Sequence, residues 1–307
     1  MTEVDQLFES VAEIAPIIRE HASEAEQCRR LSRPVVEAMQ KANLYNISRP
    51  KSLGGLELDP VSIFKVVEEV ARQDAAAGWN LQLALAVHPL PAWLPDAGAA
   101  EMLDNHLNVI LGSDFTPTGK AIPVDGGYRL TGQWPIVSGA LDCDCFLFLP
   151  FIEDGDSPRP DDQRMPSQYF MWLPAKDATI LDTWHTMGMR GTGSHDVVVS
   201  DLFIPEQRTA PMAPRERTGS AYQGALYRLT IWFGIALLGP PALGIARAAI
   251  DDLVEMARKK TPSFTGSSLS KRQVVQRQVA EAEAALGAGR AYLHRTFEEV
   301  WTEVVQG

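Results

Sequence analysis

Apolar residues recur at spacings of three and four from the N-terminus to about Asn105, the pattern of amphipathic helices. Asp59 and Pro60 precede the periodic run VSIFKVVEEVARQDAAAGW and predict a helix start, because an aspartate can cap the first turn and proline is tolerated at its first position. Ser32, before RPVVEAMQKANL, is a second predicted N-cap. We therefore predict an N-terminal helical domain over residues 1–107.

From Asn108 the pattern changes to short β-like runs separated by turns. KAIPV and YRLTGQW flank Asp125-Gly126-Gly127 and predict a hairpin. Further strands are predicted from NVILGSDF, CDCFLFLPF, QYFMWLP, ATILDTW and DVVVSDLFIP. The charged insertion at residues 152–167 is predicted to be a solvated loop. Together these runs predict a central β domain over residues 108–212.

The helical pattern returns after Pro214 and predicts a C-terminal helical domain over residues 213–307, so the fold class is α+β. Residues 229–246 are eighteen nearly apolar residues, the lower limit for crossing a bilayer. Gly239 and two prolines interrupt this stretch, which favours a helix buried in the protein interior and bent near the prolines over a membrane span. The last helical run also carries an apolar stripe that needs a partner.

Composition narrows the function. The 307 residues, 45% of them hydrophobic, can bury a sizeable core. A net charge of -11, without clustered Lys and Arg, argues against a nucleic-acid or anionic-membrane partner. The acidic start MTEVDQLFESV lacks the features of a secretory leader, so a cytoplasmic location is expected. Cys143 and Cys145 alternate along one apolar run and are predicted to be inert strand residues, and no metal site is predicted.

The run TWHTMGMRGTGSHDVVVSDLFIP places a glycine-broken turn against a predicted strand. It is either an ordinary loop or a cradle for a planar, charged cofactor. Arg190 and the backbone N–H groups of such a turn can bind carbonyl or phosphate oxygens, and Thr192 and Ser194 add hydroxyls. Trp184 can stack on a ring system or belong to the core. His195 is expected at the edge of the strand.

The order of the three domains and this motif resemble the acyl-CoA dehydrogenase superfamily over nearly the whole chain. Trp184 makes the motif most similar to the two-component flavin-dependent monooxygenases, the branch that includes p-hydroxyphenylacetate hydroxylase and dibenzothiophene monooxygenase. The runs RPKSLGGLELDP, EEVARQDAAAGWN and GGYRLTGQWPIVSGALDCDCF carry the same resemblance. It implies an acyl-CoA dehydrogenase-like fold with a central β-barrel or sandwich and a C-terminal bundle, of which two helices are present here.

The resemblance also implies roles for individual residues. Ser138 would reach N5 of a flavin, His88 and Ser113 would face the substrate, and Trp184, Arg190, Thr192 and Ser194 would contact the cofactor. A neutral His88 would act as the general base that removes a phenolic proton. From the residues alone, Ser138 is equally a serine satisfied by backbone at a strand end, and His88 a partner of its helix dipole.

The implied enzyme is an oxidoreductase that uses reduced flavin, either FMN or FAD, and O2 to hydroxylate an aromatic or heteroaromatic small molecule. A separate flavin reductase and a homodimer or homotetramer are further implications.

Two alternatives remain at this stage. An acyl-CoA dehydrogenase needs a carboxylate base, and no Asp or Glu lies between Arg217 and Ile250, where Gly234 occupies the matching position. The second alternative is a non-catalytic flavin-binding protein, since members of the superfamily have two further bundle helices.

Overall fold

The computed structural model describes residues 3–103, 108–154, 157–158, 167–212 and 219–306. Within these ranges, five α-helices precede the first strand: α1 Glu3–Cys28, α2 Arg33–Lys41, α3 Pro60–Gln73, α4 Ala75–Val87 and α5 Asp96–Leu103. The strands of the described residues follow: β1 Leu111–Asp114, β2 Lys120–Val124, β3 Gly127–Val137, β4 Cys145–Phe148, β5 Phe151–Asp154, β6 Ser157–Pro158, β7 Tyr169–Pro174, β8 Thr179–Leu181, β9 His195–Pro205 and β10 Thr209–Pro211. Three α-helices come last in the same ranges: α6 Ile231–Ala236, α7 Gly239–Lys259 and α8 Gln273–Gln306.

Two aspartates set the starts of the central helices. The Asp59 carboxylate accepts the backbone N–H of Ser62 at 3.0 Å and begins α3, as predicted. Asp74 accepts the N–H of Ala77 at 2.8 Å and begins α4 directly after it. Ser32 precedes α2 as expected, but its side chain makes no capping hydrogen bond. The caps at Asp59 and Asp74 thus define where α3 and α4 begin, and α4 contacts both α3 and strand β1 of the first sheet.

The strands form two sheets among the described residues, with orders β1-β4-β7-β10 and β6-β5-β2-β3-β9-β8. The predicted hairpin of β2 and β3 is confirmed, with the two strands paired antiparallel across the turn. Strands β3 and β9 are the longest of those described, eleven residues each, and pair along most of their length. Because β3 and β9 begin or end at the segments that carry the candidate chemistry, their pairing brings those segments together.

The predictions for the middle of the β region need correction. The run CDCFLFLPF forms two strands, β4 and β5, and Ile152 is buried in β5 instead of lying in a loop. Much of the predicted loop, residues 155–156 and 159–166, lies outside the described residues. Cys143 precedes β4 and is not a strand residue. Burial raises the pKa of the Cys145 thiol to about 12, so this thiol stays protonated and unreactive.

Strand β4 separates two hydrophobic cores by the alternation of its side chains. Leu147 faces the core that the sheet shares with the helices. Phe146 and Phe148 face the core between the two sheets, where the ring of Trp134 stacks on Phe148 at a centroid distance of 4.1 Å. The first sheet is therefore covered on both faces, which fixes its position against α4.

The apolar segment near the C-terminal end is bent as predicted. Helix α6 ends at Ala236, and α7 begins at Gly239 with two prolines in its first turn. By length and composition alone, residues 231–259 are apolar enough to cross a membrane. A third of the residues in their most apolar 18-residue stretch are buried. The prediction of a buried helix is therefore wrong for one face of α6, on which Trp232 is 66% exposed. Helix α7 packs on α3 at Gly244, whose added Cβ would lie 2.3 Å from the Glu68 carbonyl oxygen.

Candidate cofactor and substrate cavities

A cavity of about 830 Å³ lies between α4, the two sheets and the turn before β9. This volume is within the range of cavities that hold cofactors and drug-sized ligands. Its walls are Trp79, Leu83, Ser113, Asp114, Phe115, Thr116, Pro117, Pro135, Ile136, Ser138, Trp184, Met189, Thr192 and Ser194. The structure thus brings together five of the seven residues that the sequence singled out, namely Ser113, Ser138, Trp184, Thr192 and Ser194.

A directed chain of hydrogen bonds runs along one wall. Trp79 Nε1 donates to Ser138 Oγ at 3.1 Å, and Thr192 Oγ1 donates to the Met189 carbonyl at 2.8 Å. The Ser194 hydroxyl lies 2.7 Å from both the Ser138 and the Thr192 hydroxyls. Since a carbonyl only accepts, the Thr192 proton is committed, and so Ser194 donates to Thr192 and Ser138 donates to Ser194. Ser138 retains one lone pair, which makes it an acceptor for a donor inside the cavity.

Two cavity residues have strained backbones. Ile136 and Met189 have φ of 56° and 55°, a region that β-branched and bulky side chains rarely adopt. Ile136 lies in the irregularity of the β3–β9 pairing between Trp134 and Val137. Such a bulge bends the strand and re-aims its side chains. Strain of this kind clusters at functional sites, which supports a ligand-binding role for this wall.

The end of β3 and the turn are joined directly. The Gly139 backbone N–H donates to the Thr192 carbonyl at 2.7 Å. Gly139 has φ of 69°, the left-handed conformation that glycine adopts without cost. This bond places Ser138 beside Thr192 and Ser194 even though they belong to different strands and turns.

Arg190, for which cofactor contact is predicted, does not line this cavity. Its guanidinium donates to the backbone carbonyls of Glu26 at 2.7 Å and Thr186 at 3.2 Å. The Glu26 carboxylate in turn accepts the backbone N–H groups of Arg190 at 2.9 Å and Gly191 at 3.3 Å. Glu26 lies on α1 and was not predicted. Arg190 and Glu26 therefore hold the turn against the helical domain.

We expect Glu26→Ala to weaken the binding of oxidised flavin about fivefold, because the turn loses a carboxylate that fixes two of its backbone N–H groups. Quenching of flavin fluorescence on titration with protein measures this change. Glu20→Ala, an exposed position on the same helix, is the matched control. Equal affinities of the Glu26 and Glu20 variants would contradict a positioning role.

His195 holds the other end of the turn. It is the first residue of β9, as expected, and its Nδ1 accepts the backbone N–H groups of Thr183 and Trp184, each at 3.3 Å. Accepting at Nδ1 requires a ring with no proton there. Burial lowers the pKa of His195 and so favours this neutral form. Trp184 Nε1 donates to the Met189 carbonyl at 3.0 Å, which completes the frame of the turn.

His88 lies away from the cavity wall, which corrects its prediction as a general base facing the substrate. The ring is fully buried, and Nε2 donates to the Val109 carbonyl at 3.2 Å. Burial, with a smaller contribution from the Arg49 charge, lowers the pKa of His88 to about 4. The residue follows the last residue of α4, where the chain continues into a buried turn at Leu90–Trp93 and turns the imidazole inward.

A second, smaller cavity of about 310 Å³ adjoins the first and shares Leu83, Ser113 and Phe115 with it. Its walls are otherwise mostly apolar: Gln82, Ala86, Leu90, Leu149, Phe170, Met212, Ile231, Gly234, Ile235 and Leu238. The described residues that line it include no carboxylate, and Gly234 lies in this wall at the position that matches the dehydrogenase base. The space suits a compact apolar molecule.

The larger cavity fits a flavin ring. Two indoles, Trp79 and Trp184, belong to a wall that is mainly apolar and suited to a flat aromatic system. Ser138 presents its remaining lone pair, and Asp114 Oδ2 is a buried oxygen without a partner. Both are acceptors, and a reduced flavin ring carries N–H donors. Ser138, Asp114 and the two indoles are therefore the residues that would hold the ring.

Comparisons with known proteins agree on one family. The family model for the N-terminal domain of acyl-CoA dehydrogenase matches residues 3–106, and the model for the C-terminal domain matches residues 236–307. Indole-3-acetate monooxygenase of Pseudomonas putida is 31% identical over 94% of this chain and 72% of its own length. HsaA of Rhodococcus jostii (strain RHA1), the oxygenase subunit of a flavin-dependent monooxygenase, is 30% identical over 96% of this chain and 77% of its own.

A solved structure supports the same relationship. XiaF from Streptomyces sp., in complex with FADH2 and glycerol, superimposes with a TM-score of 0.89 at 26% identity. The match covers 99% of this chain and 76% of XiaF. The order of helices, sheets and helices described above is therefore that of a protein solved with reduced flavin.

Proposed function

Because the chain belongs to the acyl-CoA dehydrogenase superfamily, in its branch of flavin-dependent monooxygenases, we propose that it hydroxylates a small aromatic or heteroaromatic molecule. When bound, reduced flavin supplies two electrons to O2, so that one oxygen atom enters the substrate and the other leaves as water. The observation that carries the proposal is the pair of adjoining cavities, one fitted to a flavin ring and one apolar, with Leu83, Ser113 and Phe115 in common.

The residues of this chain would bind, orient and shield. Ser138, held by Trp79 and Ser194, would accept a hydrogen bond from an N–H at the edge of the flavin ring. The buried apolar walls of the smaller cavity, among them Leu149 and Phe170, exclude water, and this favours oxygen transfer to the substrate over release of hydrogen peroxide. A barrier difference of about 1.4 kcal/mol is enough for a tenfold preference.

The two alternatives are less well supported. Dehydrogenation of an acyl-CoA requires a carboxylate beside the substrate, and the described wall of the smaller cavity has Gly234 and apolar residues instead. A non-catalytic flavin-binding protein is disfavoured because the relatives named above, which are similar to this chain over most of its length, are monooxygenases.

Turnover with isotopically labelled O2 tests the function. The protein, chemically reduced FMN or FAD, and a panel of phenols and indoles are mixed in buffer saturated with labelled O2. The products are then analysed by mass spectrometry. Incorporation of one labelled oxygen atom is expected. Hydrogen peroxide alone, with bound flavin bleached anaerobically by acyl-CoA thioesters, would point to the dehydrogenase. Hydrogen peroxide alone without such bleaching would point to the flavin-binding protein.

Three further features belong to the proposal. A separate flavin reductase supplies the reduced cofactor, FMN or FAD. Exposed apolar residues on the C-terminal helices, among them Trp232 and Val305, support a homodimer or homotetramer formed through this surface. Light scattering would test the assembly, and a monomeric mass would count against it. A cytoplasmic location stays a proposal, to be tested by cell fractionation.

A further inference from the structure

Gln82 is a polar side chain in an apolar cavity. It lies on α4, one turn beyond Trp79, and lines the smaller cavity together with Leu83 and Ala86. The residue is fully buried, with no exposed surface. Its position on α4 places it on the substrate side of the helix, whereas Trp79 faces the flavin side.

Both ends of the Gln82 amide lack a partner. Neither Oε1 nor Nε2 makes a hydrogen bond, although both atoms are shielded from solvent. Buried polar atoms are nearly always paired, because an unpaired amide loses the hydrogen bonds that water gives it when the chain is unfolded. A chain that keeps such a group at a cavity wall sacrifices stability there, as functional sites commonly do.

We propose that Gln82 determines substrate specificity by hydrogen bonding to the polar group of the aromatic substrate. This inference rests on the proposed function, since it takes the smaller cavity as the substrate site. Oε1 accepts from a ring N–H or O–H, and the apolar walls, such as Leu149 and Phe170, contact the carbon ring. The site therefore takes a flat heterocycle or phenol and discriminates against a hydrocarbon of the same shape.

Indole and indene form a probe pair of matched shape, of which only indole carries an N–H. Equilibrium dialysis against the full chain loaded with oxidised flavin measures both dissociation constants without any turnover. The wild-type protein is expected to bind indole about tenfold more tightly than indene, the ratio that one hydrogen bond supports. In Gln82→Leu the preference is expected to disappear, with the affinity for indene unchanged or higher.

Gln73→Leu is the matched control. Gln73 lies on α3, and its amide already pairs with Glu69 at 2.6 Å, so this variant should keep the preference for indole. Gln82→Leu should also raise the midpoint of thermal unfolding, because an unpaired buried amide is removed. Gln82→Met serves the same purpose should the leucine variant fold poorly.

Three results would overturn the inference: equal binding of indole and indene by the wild-type protein, a preference that survives in Gln82→Leu and Gln82→Met, or no binding of either probe at its solubility limit. None of these results bears on the proposed function, which is read from oxygen incorporation with reduced flavin. Conversely, loss of oxygen incorporation with an intact preference for indole would refute the monooxygenase and leave the role of Gln82 as a binding group.

Discussion

Ser138→Ala is expected to shift the outcome of flavin oxidation from hydroxylated product to hydrogen peroxide by about tenfold or more. The Ser138 hydroxyl bonds to both Trp79 and Ser194, and it lines the cavity with one lone pair not used by these two bonds. Alanine removes the acceptor that would hold the N–H at the ring edge. It also leaves the Trp79 indole without the partner that fixes its orientation.

The ratio of hydroxylated product to peroxide, measured for each reduced flavin consumed, is the readout. Ser200→Ala, an exposed serine on β9, is the matched control and should leave the ratio unchanged. The affinity for oxidised flavin should change far less than the ratio, because the stacking walls remain. An unchanged ratio in Ser138→Ala would remove Ser138 from the reaction and return it to a purely structural serine.

Acid is expected to destabilise the protein by on the order of 3 kcal/mol through His88 alone. Burial lowers the pKa of His88 from 6.5 to about 4, so the folded chain binds this proton less readily than the unfolded chain does. The stability contributed by the neutral ring is complete above about pH 6.5 and is lost as the pH falls toward 4. Protonation would place a charge in a fully buried site near Arg49.

Urea unfolding at several pH values across this window measures the effect. His88→Gln keeps a donor for the Val109 carbonyl but has no group that titrates there, so its acid destabilisation should be smaller by that amount. His185→Gln, whose side chain is 63% exposed, is the control. The comparison between variants separates His88 from the other histidines, and parallel pH profiles for wild type and His88→Gln would contradict the burial argument.

Local signals predicted much of the fold. Asp59 and Pro60 mark the start of α3 because capping depends on neighbouring residues alone. The hairpin around Gly126 and the strand after Ser194 follow from turn chemistry and alternation. The family resemblance further implies that Ser138 and the turn before β9 contact the same cofactor. The hydrogen bond from Gly139 to the Thr192 carbonyl holds these two segments together.

What the sequence did not predict depends on contacts between distant residues. Glu26 and Arg190 are 164 positions apart, and no local pattern indicates that they pair. The run AAAGWNLQLALAV is apolar on nearly every face, so periodicity could not show which cavity Gln82 faces. His88 is predicted to face the substrate, but the direction of its ring is set by the buried turn that follows.

The shared walls of the two cavities limit how this protein can be redesigned. Leu83, Ser113 and Phe115 touch both spaces, so changing any of them to admit a larger substrate also disturbs the cofactor. The wall formed by α6 touches only the smaller space. Libraries that vary α6 should therefore broaden the range of accepted molecules while leaving flavin affinity intact, which makes this short helix the natural starting point for engineering.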